Sequence, residues 1–115
     1  MSNTLTIQII KEARDLLANP ENWTQFELAA TVDDESCQPW QPEAAKFCAY
    51  GALLKCAHDL CGDLAIAHHF VDSALTDIFG DKADTDQLST TIFQVNDREG
   101  RKAVLELFDK ALAAQ

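Results

Sequence analysis

The chain has 115 residues, of which 47% are hydrophobic and 24% charged, as expected for one globular domain spanning residues 1–115. Nineteen acidic against nine basic residues give a formal charge of −10, which disfavours direct binding to nucleic acid or to anionic lipid. No apolar run reaches the roughly 18 residues that a membrane span requires, and the N-terminus lacks the pattern of an export signal. We therefore expect a cytoplasmic protein whose four cysteines are reduced.

The first predicted element is a helix over residues 5–18. Its apolar side chains recur at helical spacing, with charged residues falling largely between them. Asn19-Pro20 ends it, because proline cannot continue a helix. The apolar stripe comprises Ile9, Ile10, Ala13, Leu16 and Leu17.

The next segment, from Thr24 to Val32, alternates apolar and polar residues and predicts a short strand with Phe26 on its apolar face. The residues at 33–36 are typical of a turn. The chain is therefore expected to fold back through 37–38 as a small hairpin.

The segment 42–61 predicts a central helix. Pro42 suits the first turn of a helix, and Glu43 favours the positive end of the helix dipole. No side chain from 47 to 54 is charged, so every face of this stretch can be buried. Gly51 in its middle would let a neighbouring backbone approach closely.

Capping residues divide the rest of the chain. Gly62 is a predicted C-cap, and Asp63 is the predicted N-cap of a third helix that ends at Gly80. Residues 81–96 fit either a short helix or a strand, with a preference for helix. Asp97 is the predicted N-cap of the last helix. The fold class is thus mainly α: a compact bundle of four to five helices around a buried central helix, with a small β-hairpin between the first and second helices.

Three cysteines and three histidines between residues 48 and 69 raise the question of a zinc site. Their spacing argues against one, since no Cys-x-x-Cys pair is present and Cys56 and Cys61 lie about 140° apart on a helix. Cys48 has apolar neighbours, which raise rather than lower the pKa of a thiol. We predict no metal site, no cofactor and no catalytic residue.

An unusual charge pattern follows the central helix, because no Lys or Arg occurs between Lys55 and Lys82 while aspartates recur. Such a run is more often a solvated face that keeps a protein in solution. It could instead be recognised by a basic protein, for example one that normally grips nucleic acid. The candidate partner-binding acidic face comprises Asp72, Asp77, Asp81, Asp84 and Asp86.

Four motifs span most of the chain: Trp23-Thr24-Gln25, Pro42-Glu43-Ala44, Phe47-Cys48-Ala49-Tyr50-Gly51-Ala52-Leu53, and Asn96-Asp97 followed by Arg101, Val104 and Leu105. Together they resemble a family of small proteins of bacteria and their phages known only as a domain of unknown function. The resemblance implies a bacterial or phage setting and no activity. The chain differs from the family pattern at Phe26, where a glycine is common, and at Val95, where an aromatic residue is common.

The resemblance also singles out polar or amphipathic residues at the junctions between elements. Such side chains either cap helices or line a small pocket, and capping is the preferred interpretation. Gln25 or Arg101 could satisfy exposed backbone carbonyls. The candidate ligand or capping cluster comprises Trp23, Gln25, Asn96, Asp97 and Arg101.

The first hypothesis for function is a non-catalytic accessory or interaction protein that binds a basic protein partner through the acidic face. The alternative is a small enzyme or a small-ligand-binding protein that uses the polar junction. The sequence leaves the partner, any ligand and the oligomeric state open.

Overall fold

A computed structural model describes residues 4–80 and 85–114, without the side chains of residues 85–87 and 89. Within these ranges the chain forms five helices and one three-stranded sheet, so the predicted mainly α bundle with a small β-hairpin is confirmed. The helices are α1 (Thr4–Ala18), α2 (Ala49–Cys61), α3 (Leu64–Phe79), α4 (Thr85–Gln94) and α5 (Arg101–Ala113), and the strands are β1 (Ala29–Ala30), β2 (Ser36–Cys37) and β3 (Lys46–Phe47).

Helix α2 lies at the centre and packs against both α1 and α3. Its Leu53 and Leu54 are buried among apolar side chains of these helices and of α5, including Ile9, Leu75 and Phe108. The prediction of a central buried helix is therefore confirmed. No helix in the described part of the chain is both long and apolar enough to cross a membrane.

The predicted start of this helix at Pro42 is wrong. Residues 46–47 instead form β3, which pairs antiparallel with β1. The Ala45 N–H donates to the Ala30 carbonyl at 2.9 Å, and the Cys48 N–H donates to the Leu28 carbonyl at 3.1 Å. Pairing with a distant strand thus outweighs the local helix propensity of this segment, and α2 begins only at Ala49.

The sheet has the strand order β2-β1-β3. Strands β1 and β2 form the predicted hairpin, with Ala29 opposite Cys37 and Ala30 opposite Ser36. The strand is much shorter than the alternation over 24–32 predicted. Phe26 does not belong to it, since its φ is 66° and left-handed backbone cannot continue a strand.

Two predicted caps and one open assignment are settled by the structure. Gly62 adopts the left-handed conformation at the end of α2, and the Asp63 carboxylate accepts the Ile66 N–H at 3.0 Å at the start of α3. Of the segment 81–96, residues 85–94 are helical as preferred, and residues 81–84 lie outside the described residues. The predicted N-cap role of Asp97 is wrong, because Asp97 lies inside a π-helical turn (Val95–Glu99) and α5 begins at Arg101.

Candidate functional site

Asn96 is the centre of the polar junction and is fully buried. Its Oδ1 accepts the Trp23 indole N–H at 2.8 Å and the Ala49 backbone N–H at 2.9 Å. Its Nδ2 donates to the Thr24 carbonyl and to Asp97 Oδ1, both at 3.0 Å. An amide side chain has two acceptor positions and two donor hydrogens, so Asn96 is fully satisfied. Its bond to Ala49 also caps the first turn of α2 from another part of the chain.

Asp97 fixes the segment that follows Trp23. Its Oδ1 accepts the Phe26 backbone N–H at 2.9 Å, and its backbone carbonyl accepts Gln25 Nε2 at 3.1 Å. Asp97 therefore holds residues 25–26 against the π-helical turn, which explains why its carboxylate does not cap α5.

Arg101 lies apart from these contacts, at the C-terminal end of α1. One guanidinium nitrogen donates to the Leu17 carbonyl at 3.2 Å and to the Ala18 carbonyl at 3.1 Å. These carbonyls have no partner within the helix, and a cation at this end is favoured by the helix dipole. The structure thus brings four of the five predicted cluster residues together and places Arg101 at a separate helix end.

Phe26 is the least expected feature of the site. Its φ of 66° is unfavourable for a residue with a Cβ, and its side chain is 80% exposed although it is large and apolar. The hydrogen bond to Asp97 helps to hold this backbone in place. Strained conformations of this kind persist only where the surrounding structure imposes them.

We predict that Phe26→Gly raises the free energy of unfolding by about 0.5–1 kcal/mol. Glycine adopts a positive φ without the steric cost that a Cβ brings, and the lost ring makes little packing contribution because it is exposed. Chemical denaturation measures the difference. Phe26→Ala is the matched control, since it removes the ring but keeps the Cβ and should not stabilise. Equal stabilities of the two variants would contradict a strained Phe26.

An open cleft of about 340 Å³ adjoins this strained residue, and we call it the Phe26 cleft. Phe93 of α4 contributes a second aromatic side chain, and its ring centroid lies 5.2 Å from that of Tyr50. Asp97 links the cleft to the polar junction. The residues that line the cleft are Phe26, Glu27, Leu28, Phe93 and Asp97.

The two carboxylates of the Phe26 cleft, those of Glu27 and Asp97, form no ion pair with a Lys or Arg among the residues that the structure describes. Glu27 accepts a hydrogen bond from the Thr24 hydroxyl at 3.3 Å, and Asp97 accepts from the two N–H donors of Phe26 and Asn96. In the described ranges, the ion pairs of Lys and Arg go to other carboxylates, namely those of Asp15, Asp34, Asp59 and Asp109.

Cys48 beside the junction and Cys56 farther along α2 are both buried. Cys48 is the N-cap residue of α2, not a residue within the helix as predicted, and its Sγ accepts the Gly51 N–H at 3.3 Å. Burial nevertheless raises the pKa of the Cys48 thiol to about 11 and that of the Cys56 thiol to about 12. Both thiols are therefore protonated at neutral pH, the form in which a thiol is a weak nucleophile.

Across residues 4–80 and 85–114, no group of three or more His, Cys, Asp or Glu side chains is arranged to hold a metal ion. Cys61 ends α2, whereas Cys56 is buried inside it.

The structure describes the side chains of only two residues of the acidic face. Asp72 and Asp77 lie on α3 and are half-buried, and one oxygen of Asp77 is shielded from solvent without a hydrogen-bond partner. Asp81 and Asp84 lie outside the described residues, as does the side chain of Asp86.

Asp72 lies close to the aromatic side chains that lead to the Phe26 cleft. Burial of Tyr50 raises the pKa of its hydroxyl, and the charge of Asp72 raises that pKa further. The Tyr50 hydroxyl also lies 3.4 Å from His68 Nδ1. Tyr50 thus contacts Phe93 of the cleft and lies within electrostatic range of Asp72.

Sequence reasoning missed the exposed Phe26 and the Phe26 cleft. The alternation of apolar and polar residues placed this side chain on a buried strand face, whereas the glycine common at this position in the resembling family was the one signal of a positive φ. The contacts that impose it come from residues 96 and 97, some seventy positions later in the chain.

A family model matches residues 1–114, and its description reads "Family of unknown function (DUF6197)". This match confirms the resemblance to a family of unknown function that the sequence predicted. No curated protein and no solved structure matches the chain significantly.

Proposed function

The chain belongs to DUF6197, and because that family has no known function, we propose from the chain itself that it is a non-catalytic protein that binds a basic protein partner. Its partner would carry clustered Lys and Arg side chains, as proteins that grip nucleic acid do. In a bacterial or phage setting, such binding would inhibit or mask the partner's basic surface.

The polar groups of the junction and the two buried thiols support this proposal because they serve the fold. All four hydrogen bonds that the Asn96 amide can make lie inside the junction. Arg101 donates two hydrogen bonds to the carbonyls at the end of α1. The thiols of Cys48 and Cys56 are buried and protonated. A catalytic site needs convergent groups that are free to act on a substrate.

The observation that carries the proposal is the uncompensated negative charge on α3 and around it. The formal charge of the chain is −10, and α3 contains no Lys or Arg. Asp72 makes no ion pair with a cation among the described residues, and its charge reaches the half-buried Tyr50. Unpaired carboxylates of this kind steer and hold a basic partner, and salt screens the attraction.

We predict that a short oligo-arginine peptide binds the protein with an affinity that falls at least about tenfold between roughly 0.05 and 0.2 M salt. Asp72→Asn should weaken this binding more than Glu106→Gln, which removes one exposed charge on α5. Isothermal titration calorimetry gives both affinities. Absence of binding would refute a basic partner, whereas equal losses for the two variants would refute the α3 face as its site.

A further inference from the structure

We propose that the Phe26 cleft receives an arginine or lysine side chain of the basic partner, an inference that rests on the proposed function. The site would combine an exposed aromatic ring with carboxylates. This combination recognises a cation both by attraction to the ring face and by charge-assisted hydrogen bonds.

The aromatic component is free to make such a contact. The ring of Phe26 is 80% exposed, so it contributes little to the core of this protein. Phe93, in contrast, is half-buried and held by its contact with Tyr50. A cation within about 6 Å of an aromatic centroid is attracted by the ring, and the attraction grows when water is displaced.

The charge of the cleft selects a cation over a neutral apolar side chain. Glu27 and Asp97 both line the cleft, and neither is paired with a cation among the residues that the structure describes. An apolar occupant would desolvate these carboxylates without compensation. A guanidinium would instead supply planar N–H donors to them and could stack on a ring.

The backbone at the cleft is organised before any partner arrives. Asp97 Oδ1 holds the Phe26 N–H at 2.9 Å, and Gln25 holds the Asp97 carbonyl at 3.1 Å. Binding therefore need not order this segment, which lowers the entropic cost of association. The strain at Phe26 is consistent with a position kept for contact.

Tyr50 links the cleft to the face proposed for the basic partner. The ring centroids of Phe93 and Tyr50 lie 5.2 Å apart. Burial and, after it, the charge of Asp72 raise the pKa of Tyr50. One basic segment could thus place a side chain in the Phe26 cleft and a second cation against Asp72.

Three variants test this with the same oligo-arginine peptide. Phe26→Leu keeps an apolar side chain but removes the ring, and it should weaken binding about fivefold. Phe26→Tyr keeps the ring and should bind like the wild type. Glu27→Gln should weaken binding by a similar factor, and amide shifts in a ¹⁵N NMR titration should centre on residues 25–28 and 93–97.

The outcomes separate the two proposals. Binding that is unchanged in Phe26→Leu and Glu27→Gln but weakened in Asp72→Asn would overturn the Phe26 cleft and leave the proposed function standing. Shifts centred on the hairpin turn at 33–36 would also overturn the cleft. A wild-type protein that does not bind the peptide would overturn both.

Discussion

Replacement of Gly51 by alanine is expected to destabilise the fold by about 3 kcal/mol, a large part of the stability of a small domain. A Cβ built at this position would lie 1.9 Å from the Leu28 carbonyl oxygen and 2.9 Å from its carbon. The obstacle is backbone, so no side chain can rotate away. The Leu28 carbonyl also accepts the Cys48 N–H, and relief of the clash would break that bond. Thermal unfolding should show a fall in Tm of roughly 10 °C or more.

Gly62→Ala is the matched control for this substitution. No atom lies within 4 Å of a Cβ added at Gly62, so its cost comes only from the positive φ and should be about 1 kcal/mol. Helix propensity alone makes the opposite prediction for Gly51, since alanine in a helix is favoured over glycine by about 1 kcal/mol. A neutral or stabilising Gly51→Ala would therefore show that the Leu28 backbone does not pack against α2.

The sequence predicted those parts of the fold that depend on local signals. The stripe of α1, the caps at Gly62 and Asp63, and the close approach at Gly51 all follow from residue type and spacing. It failed at 42–48, where residues 46–47 pair with β1 and the neighbouring N–H groups of Ala45 and Cys48 bond to the Ala30 and Leu28 carbonyls. Local propensity differs by less than about 1 kcal/mol per residue, so a few long-range hydrogen bonds outweigh it.

The candidate site shows the same division between local and long-range information. Motif resemblance identified Trp23, Gln25, Asn96 and Asp97, and the structure brings these four together. Their partners could not be predicted, because each bond between the two ends of the motif spans more than seventy residues. Asp97 illustrates the failure. A local capping rule predicted it as the N-cap of the last helix, but its carboxylate accepts the Phe26 backbone N–H instead.

Asn96→Ala is expected to cost about 4 kcal/mol, the largest effect among single side-chain truncations at the junction. The substitution removes four hydrogen bonds at once and leaves the Trp23 indole, the Ala49 N–H and the Thr24 carbonyl without their partner. Buried donors and acceptors each cost roughly 1–3 kcal/mol when unsatisfied, and water entering the space left by the amide recovers part of this. Chemical denaturation measures the total.

The indole N–H resonance of Trp23 provides a second and local measurement. It should shift in Asn96→Ala, while that of Trp40 should stay in place because Trp40 packs near His58 on α2. Asn22→Ala is the matched control, since the half-buried Asn22 amide donates one bond, to the Leu16 carbonyl at 3.0 Å, and its loss should cost about 1 kcal/mol. If the two asparagine variants were equally stable, Asn96 would not join the 23–26 segment, α2 and the π-helical turn. The backbone that holds Phe26 at the surface would then need another support.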